Sequence, residues 1–438
     1  MNVELINTGS ELMLGRVLNT HQQWLCRRLA DLGYVVTRQV AVADAGPDIE
    51  QAVREALARA DLVLTTGGLG PTSDDLTRDL IAQLLGKKLH EDATVVQHIE
   101  QFFGTRKRPM PASTLVQAMV PEGAIVLANP NGTAPGLAMK VEAGEWKQEQ
   151  SVQASSPSTL NLQPSTDAKW LIMLPGPPRE LRPMFNDTVV PWLRRVLPLD
   201  HDYVCRTLRT VGIGESQVAD KIGGPLREVL ARGLDLGYCA HIGAVDVRLA
   251  AQGPSATDLV CEAEALVRAQ LSTHIFAEDD ETLEAVIVRL LTTRNQTLAL
   301  AESCTGGGIA NRITNVPGAS AVLLAGLVTY SNEAKHKFLG VSPETIALQG
   351  AVSEAVAREM AEGARRQTGA DFALSITGIA GPGGGSEAKP VGTVFVGVAS
   401  ASETIVVRQF NPFDRETFKQ VTANQALELL RRKILKPV

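Results

Sequence analysis

The last third of the chain contains the stretch Ala301-Glu302-Ser303-Cys304-Thr305-Gly306-Gly307, which directly follows an apolar run. A strand that leads into a serine, a glycine-rich turn and then a helix near Ile309 is typical of an α/β sheet. A nucleophilic serine needs a base beside it, and the oxyanion formed on the attacked carbonyl needs backbone N–H donors. Glycines allow close backbone approach, and the following helix is predicted to offer free N–H groups. We therefore predict that Ser303 is a nucleophile and that Thr305, Gly306 and Gly307 lie at the substrate; the alternative is a strand-to-helix turn with a capping side chain.

A second polar segment, Thr329-Tyr330-Ser331-Asn332-Glu333-Ala334-Lys335, follows another apolar run. The ends of neighbouring parallel strands meet at one sheet edge, so Lys335 is a candidate base for Ser303, with Tyr330 and Asn332 near the substrate. A base must be neutral, and with a reference pKa near 10.4 only about one lysine in 2,500 is neutral at pH 7. Burial or a neighbouring cation would have to lower the pKa of Lys335 strongly. The alternative is an exposed lysine paired with Glu333 or Glu302.

A third loop, at residues 375–385, is rich in glycine and follows the apolar residues 372–374. Backbone amides in such a loop suit a phosphate or a ribose. The candidate binding residues in the loop are Thr377, Gly378, Ala380 and Gly381. Lys389 lies just beyond the loop and is a candidate phosphate ligand, with a solvated loop lysine as the alternative.

The motifs AESCTGG, VTYSNEAK, GAVSE, SITGIAGPGGGS and KPVGTVF together resemble the nicotinamide mononucleotide (NMN) deamidase family, the C-terminal domain of the CinA (competence/damage-inducible) proteins. The resemblance covers residues 281–438. It implies a Ser/Lys dyad of Ser303 and Lys335 that hydrolyses NMN to nicotinate mononucleotide and ammonia in pyridine nucleotide salvage, with no cofactor. Cys304 is then the weaker nucleophile candidate, and its alternative role is that of a small buried thiol.

The first 196 residues alternate short apolar runs with amphipathic ones, which predicts a parallel α/β sheet. The loop at residues 65–77 follows the apolar residues 62–64. Backbone amides at Gly67, Gly68 and Gly70 are predicted to bind phosphate. Asp74 and Asp75 are candidate ligands of a divalent cation such as Mg²⁺. The alternative is a turn with an aspartate cap.

Other glycine- and proline-rich strand ends, at Asn131, Gly132 and Gly176, are predicted to converge on the same nucleotide-binding site. The block resembles the molybdopterin-binding-like domain of molybdenum-cofactor biosynthesis enzymes and of the CinA N-terminus. Some members of that family hydrolyse ADP-ribose to AMP and ribose 5-phosphate. The resemblance implies a metal-dependent ADP-ribose pyrophosphatase, or alternatively a nucleotide- or pterin-binding module without turnover.

With 438 residues the chain exceeds the size of a single core, so several domains are expected. We predict an α/β domain at residues 1–196 with a flexible insertion near 142–168, and a small α+β domain at 197–278 that resembles the KH-type connecting domain of CinA proteins. A second α/β domain is predicted at 279–438, with strands near residues 297–301, 321–329, 372–377 and 393–399.

Charge and cysteine content exclude several function classes. A net charge of −6 and a pI near 5.8 argue against nucleic acid as a partner. The five cysteines show neither zinc spacing nor a disulfide framework. The chain enters a strand at residue 3 with no basic region before it, and no apolar segment is long enough for a membrane span. We expect a cytoplasmic homodimer with no membrane contact; the remaining alternative is a competence-associated adaptor that acts through protein or DNA contacts.

Overall fold

The structure is a computed structural model that describes residues 1–142 and 168–436. These residues form two compact units, Met1–Val204 and Cys205–Val438. The flexible insertion predicted near residues 142–168 lies outside the described residues, apart from its two end positions. None of the helices in the described ranges combines the length and the apolar character that crossing a membrane requires.

The first unit contains a six-stranded sheet with helices on both faces. The strands of the whole unit are β1 (Asn2–Thr8), β2 (Val35–Val42), β3 (Leu62–Thr66), β4 (Leu89–Glu91), β5 (Met119–Pro121), β6 (Ile125–Leu127), β7 (Gly136–Glu142) and β8 (Ala168–Leu174). Its helices are α1 (Ser10–Met13), α2 (Thr20–Asp31), α3 (Gly46–Arg59), α4 (Thr77–Leu84), α5 (Ala93–Thr105), α6 (Pro178–Met184) and α7 (Val190–Val196).

The strand order of this sheet is β2-β1-β3-β8-β7-β6, and β4 and β5 form a separate antiparallel pair. Strands β2, β1, β3 and β8 are parallel, as the sequence predicts, whereas β7 and β6 run antiparallel and make the sheet mixed. Every residue of β3 is buried because helices cover both of its faces. The carboxyl ends of β1, β3 and β8 therefore meet at one edge.

A small α+β domain follows along the chain, and all but its first two residues belong to the second unit. Its elements are β9 (Tyr203–Val211), α8 (Glu215–Gly223), α9 (Arg227–Ala231), β10 (Asp235–His241), β11 (Ala244–Gln252), α10 (Ala256–Leu271) and β12 (Ile275–Glu278). The strands form one sheet in the order β10-β11-β9-β12, in which β10 pairs antiparallel with β11 and β12 antiparallel with β9.

The rest of the second unit is built on a five-stranded sheet. Its elements are α11 (Leu283–Thr293), β13 (Leu298–Glu302), α12 (Gly308–Thr314), β14 (Leu323–Val328), α13 (Asn332–Leu339), α14 (Pro343–Gln349), α15 (Glu354–Thr368), β15 (Phe372–Gly378), β16 (Thr393–Ala399), β17 (Thr404–Phe410) and α16 (Arg415–Leu435). The strand order is β14-β13-β15-β16-β17. Strands β14, β13 and β15 are parallel, so the three polar segments predicted from the sequence leave the sheet at the same edge.

Candidate functional site

The second unit holds a buried contact between a serine and a lysine. Ser303 is the first residue after β13, and its backbone N–H donates to the Ile376 carbonyl of the neighbouring strand at 3.0 Å. Lys335 lies near the start of α13, which is capped by the Ser331 hydroxyl. The Lys335 Nζ atom is 3.0 Å from Ser303 Oγ. Ser303 is 8% exposed and Lys335 only 1%.

The surroundings of Lys335 favour a neutral amine. Its Nζ donates to the carbonyls of Thr329, at 2.9 Å, and Tyr330, at 3.2 Å. In the structure Nζ also donates to Ser303 Oγ; in a neutral amine the two carbonyls would take its two N–H bonds, and the nitrogen lone pair would accept from the Ser303 hydroxyl. Burial lowers the pKa of Lys335, against a smaller opposing influence of the Cys304 thiol. The arrangement is that of a general base beside a hydroxyl nucleophile.

The carboxylate of Glu302 occupies the N-terminus of the helix that follows Ser303. It accepts from the backbone N–H groups of Gly307 at 3.0 Å, Ile309 at 3.1 Å and Ala310 at 2.8 Å. The prediction that this helix offers free N–H groups to a substrate is therefore wrong for these three amides. The alternative in which Lys335 is exposed and paired with Glu302 or Glu333 is also wrong, because Lys335 is buried on backbone carbonyls.

Ser303 and Lys335 line a pocket of about 280 Å³. It contains eight of the residues predicted from the sequence: Ser303, Lys335, Tyr330, Asn332, Thr377, Gly378, Ala380 and Gly381. It also contains residues for which no binding role was predicted: Cys304, Ala351, Val352, Ile379, Gly383, Gly384 and Arg415. The pocket therefore combines the three strand-end segments.

Four predicted binding residues lie outside the lining of this pocket. Thr305 is buried, and Gly306 and Gly307 form the turn, with left-handed φ angles of 65° and 90° that glycine adopts without strain. The Gly306 N–H donates to the Ser303 carbonyl at 3.1 Å. Lys389 is half-buried, and its Nζ donates to the Gln349 carbonyl at 2.6 Å. The structure thus gives the two glycines a role in the backbone turn and holds Lys389 on a carbonyl.

Arg415 comes from the first turn of α16, 85 residues after Tyr330. Its guanidinium donates to the Gly381 carbonyl and to the Tyr330 hydroxyl, both at 2.9 Å. It thereby joins two walls of the pocket and brings a positive charge to its rim. No motif surrounds Arg415 in the sequence, so the only available signal was its place just after an aspartate helix cap.

Cys304 lines the pocket but is poorly suited to nucleophilic attack. The residue is 6% exposed, and burial raises the pKa of its thiol to about 12. The thiolate is the reactive form of cysteine. At neutral pH the side chain is therefore a protonated, apolar neighbour of Ser303.

The first unit holds a second and larger cavity, of about 560 Å³, at the carboxyl ends of β1, β3 and β8. Six of the predicted residues line it: Gly67, Gly68, Gly70, Asp74, Asp75 and Gly176. Gly67 and Gly68 have φ angles of 97° and 66°, and the Gly67 N–H donates to the Leu174 carbonyl at 3.0 Å. The glycines thus form a tight loop that leaves room at the strand ends.

The lining of this cavity is acidic. Five carboxylates contribute to it, those of Glu11, Asp44, Asp74, Asp75 and Glu180. Within the described ranges, its lining contains no lysine or arginine. His21 Nε2 lies 2.5 Å from the Gly176 carbonyl, and burial lowers the pKa of this imidazole, which favours its neutral form. Glu11 and Glu180 end two of the glycine- or proline-rich strand ends predicted to converge here, whereas Asp44 and His21 lie in no segment that the sequence singled out.

Asp74 and Asp75 suit a magnesium site that substrate and water complete, and not a site preformed by three protein side chains. Asp75 is half-buried and accepts from the Thr72 backbone N–H at 2.9 Å and from the Thr72 hydroxyl, whereas Asp74 is exposed. In the parts of the chain that the structure describes, no three His, Cys, Asp or Glu side chains converge on a preformed metal site. Two carboxylates do fit Mg²⁺, which takes its remaining ligands from substrate phosphates and water.

Asn131 and Gly132 do not line the cavity, although both were predicted to. The Asn131 N–H donates to Asn129 Oδ1 at 3.1 Å, and the Gly132 carbonyl accepts from His98 Nε2 at 2.9 Å. Gly132 packs so closely on Glu180 that a Cβ atom would lie 1.9 Å from its Oε2. These two residues support the lining from behind, and the following Thr133 and Ala134 reach the cavity.

Three family models match successive parts of the chain. The probable molybdopterin binding domain matches residues 4–195, the damage-inducible protein CinA KH domain residues 205–277, and the CinA C-terminal domain residues 280–434.

Similar proteins extend over the whole chain. A CinA-like protein of Akkermansia muciniphila is 41% identical over 98% of this chain and 96% of its own length. A putative competence-damage inducible protein of Moorella thermoacetica is 41% identical over 99% of each chain. The solved structure of the competence/damage inducible protein CihA from Agrobacterium tumefaciens has 40% identity and a TM-score of 0.34, and the match covers 35% of this chain and 94% of that one. The chain belongs to the CinA family of competence/damage-inducible proteins.

Proposed function

We propose that the C-terminal domain is an amide hydrolase that converts NMN and water to nicotinate mononucleotide and ammonia. One observation carries the proposal: a lysine that is 1% exposed, held on two carbonyls, lies 3.0 Å from a serine hydroxyl in an open pocket. The choice of NMN as substrate rests on the resemblance of the five sequence motifs to the deamidase family. No cofactor is needed, because both reacting groups belong to the chain.

The chemistry follows from this contact. Lys335 accepts the Ser303 hydroxyl proton while Oγ bonds to the carboxamide carbon. The resulting ammonium donates that proton to the amide nitrogen, the carbon–nitrogen bond breaks, and ammonia leaves an ester on Ser303. Neutral Lys335 then accepts a proton from water, whose oxygen attacks the ester carbon. The ester bond breaks, the Lys335 ammonium returns its proton to Oγ, and the carboxylic acid so formed loses its own proton to solvent as nicotinate mononucleotide is released.

The rest of the pocket suits a mononucleotide. Arg415 is positively charged at neutral pH, and a guanidinium is well shaped for phosphate oxygens. The loop that contains Gly378, Gly381 and Gly384 lines the same pocket, so its backbone can approach a ribose or a phosphate closely. Asn332 and Tyr330 add polar groups at the rim. A substrate with one phosphate and an aromatic carboxamide is consistent with this distribution.

The direct test is to incubate the full-length protein with NMN and measure ammonia and nicotinate mononucleotide. The wild type should form both products in equal amounts, and S303A should form neither while it keeps its thermal unfolding midpoint. If the wild type forms neither product, or S303A remains active, the proposed function is wrong.

For the first unit we infer a metal-dependent hydrolysis of ADP-ribose to AMP and ribose 5-phosphate. The supporting observation is the charge of its cavity: the described lining holds five carboxylates and no lysine or arginine, so it repels a bare pyrophosphate. Asp74 and Asp75 would hold a divalent cation such as Mg²⁺, which would neutralise phosphate charge and polarise the scissile bond. The loop of Gly67, Gly68 and Gly70 would supply backbone contacts to the phosphates.

The alternatives are a nucleotide- or pterin-binding module without turnover in the first unit and, for the whole chain, a competence-associated adaptor. Incubation with ADP-ribose and Mg²⁺ distinguishes them. AMP formation that EDTA abolishes supports the pyrophosphatase, whereas saturable ADP-ribose binding without AMP supports the binding module. An adaptor should show neither.

A further inference from the structure

Glu302 is a buried carboxylate directly beside the candidate nucleophile. It is the last residue of β13, is 1% exposed, and its backbone carbonyl accepts from the Thr329 N–H at 2.9 Å. Its side chain crosses the serine turn and accepts from three backbone N–H groups on the far side. A buried charge is costly unless it is hydrogen-bonded, and three amides at a helix N-terminus meet that need.

These contacts clamp the turn that carries Ser303. Glu302 directly precedes Ser303, and its side chain accepts hydrogen bonds from Gly307, Ile309 and Ala310, which follow Ser303 by four, six and seven residues. The turn between them contains two left-handed glycines, which on their own leave the backbone many conformations. With both ends tied by one carboxylate, Ser303 Oγ is fixed relative to the neighbouring strand and so to Lys335.

The same contacts keep the carboxylate away from Lys335. The bonds of Lys335 Nζ go to Ser303 Oγ and to two carbonyls, and in the described ranges it forms no ion pair. The charged or titratable groups near the dyad include the Glu302 carboxylate, the Cys304 thiol, the Tyr330 phenol, Arg415 at the rim and Lys419, whose Nζ lies beside Gly306. A carboxylate bonded to the amine would hold it as an ammonium, which cannot accept the serine proton.

We propose that Glu302 is a positioning residue of the dyad, which clamps the serine turn and directs its own negative charge to the helix amides rather than to Lys335. This inference rests on the proposed amide hydrolase. It assigns Glu302 no contact with the substrate. It predicts that two conservative substitutions fail in different ways.

In E302Q one oxygen remains as an acceptor, and the new amide NH₂ faces backbone N–H groups. The clamp loosens, but no carboxylate is free to reach Lys335. In E302D the charge remains while the side chain is shorter by one bond, about 1.5 Å. The carboxylate then loses the helix amides and becomes available to the lysine, so the ammonium form persists to higher pH.

The experiment measures the rate at which a fluorophosphonate probe labels Ser303 in the full-length protein, by intact mass, between pH 6 and 10. This readout does not depend on NMN turnover. We expect E302Q to be labelled about 10- to 100-fold more slowly with an unchanged pH midpoint, because displacement of a reacting group by about 1 Å costs roughly that much. We expect E302D to be slower with a midpoint at higher pH. E344Q, which changes an exposed carboxylate in the first turn of α14, is the matched control and should behave as wild type.

The outcomes separate this inference from the proposed function. If the variants are labelled as expected but the wild type releases no ammonia from NMN, the role of Glu302 is supported and NMN is not the substrate. The inference is overturned if both variants are labelled at the wild-type rate and midpoint per folded molecule, or if the wild type is not labelled at all. A loss of labelling that matches a loss of folded protein, measured by thermal unfolding, would assign Glu302 a structural role only and overturns it too.

Discussion

The two pockets of this protein differ in how much of their chemistry the chain itself supplies. The pocket of the second unit is small, about 280 Å³, and already brings a lysine amine within 3.0 Å of a serine hydroxyl. The cavity of the first unit is about twice as large, about 560 Å³, and is lined by carboxylates that repel a phosphate substrate. Under the proposed functions, the Ser303–Lys335 dyad needs only its substrate, whereas the acidic cavity needs a cation that arrives with the ligand. Substitutions can test this contrast site by site.

The largest effect is expected at Lys335. K335M keeps the length of the side chain but removes the base, so ammonia release from NMN should fall by about 10³ or more. Wild-type kcat/KM should rise with pH as Lys335 deprotonates, and burial lowers its pKa, so the rise should be centred below 10.5, the ordinary lysine value. K337M, two residues further along the same helix and exposed, should match the wild type. If K335M and K337M released ammonia at similar rates, Lys335 would not be the base and the dyad assignment would be wrong.

The next effect concerns the cavity of the first unit. D75A should lower Mg²⁺-dependent AMP formation from ADP-ribose by about 10² and raise the Mg²⁺ concentration needed for half-maximal rate, because one carboxylate ligand is lost. Ammonia release from NMN should be unaffected. D48A removes an aspartate from the first turn of α3 and serves as the control. If D75A kept the wild-type Mg²⁺ dependence, the cation would be bound elsewhere.

A smaller effect is expected at Arg415. R415A removes a charge from the rim of the pocket but leaves the dyad intact, so the KM for NMN should rise about tenfold while kcat changes little. The loss should be smaller with nicotinamide riboside, which has no phosphate. Steady-state kinetics with both substrates provides the measurement. Equal losses with both would mean that Arg415 supports the pocket wall through Tyr330 and Gly381 and does not bind the phosphate.

The smallest effect is expected at Cys304. C304A should change kcat/KM for NMN by less than about threefold, because a thiol with a pKa of about 12 is protonated at the working pH. Iodoacetamide should likewise leave the activity of the native enzyme intact over minutes. A loss near that of S303A would make Cys304 the nucleophile instead.

The sequence was most informative where local chemistry and strand order coincide. The mixed α/β class with a small α+β domain is confirmed, and Ser303, Lys335 and the loop around Gly378 do meet, because β13, β14 and β15 are parallel neighbours. The domain boundaries, the cation, the homodimer and the cytoplasmic location remain predictions.

Contacts between distant segments were harder to predict. Arg415 reaches the pocket through tertiary packing of the last helix, and no local pattern encodes such a contact. Strand β17 was not predicted, and the antiparallel course of β6 and β7 was not either. The free helix amides were wrongly expected because the sequence does not reveal which side chain folds back to cap a turn, as Glu302 does.

Lys335 is held by main-chain oxygens, those of Thr329 and Tyr330, rather than by partner side chains. Substitution of Thr329 or Tyr330 changes a side chain and leaves the carbonyl in place, so long as the strand end keeps its path. We therefore expect few positions near the dyad to require one particular side chain. The proposed chemistry needs the side chains of Ser303 and Lys335, whereas most neighbouring residues need only keep a similar shape. Random mutagenesis should accordingly find changes of similar size tolerated at Thr329, which is buried, and almost none tolerated at Ser303 and Lys335.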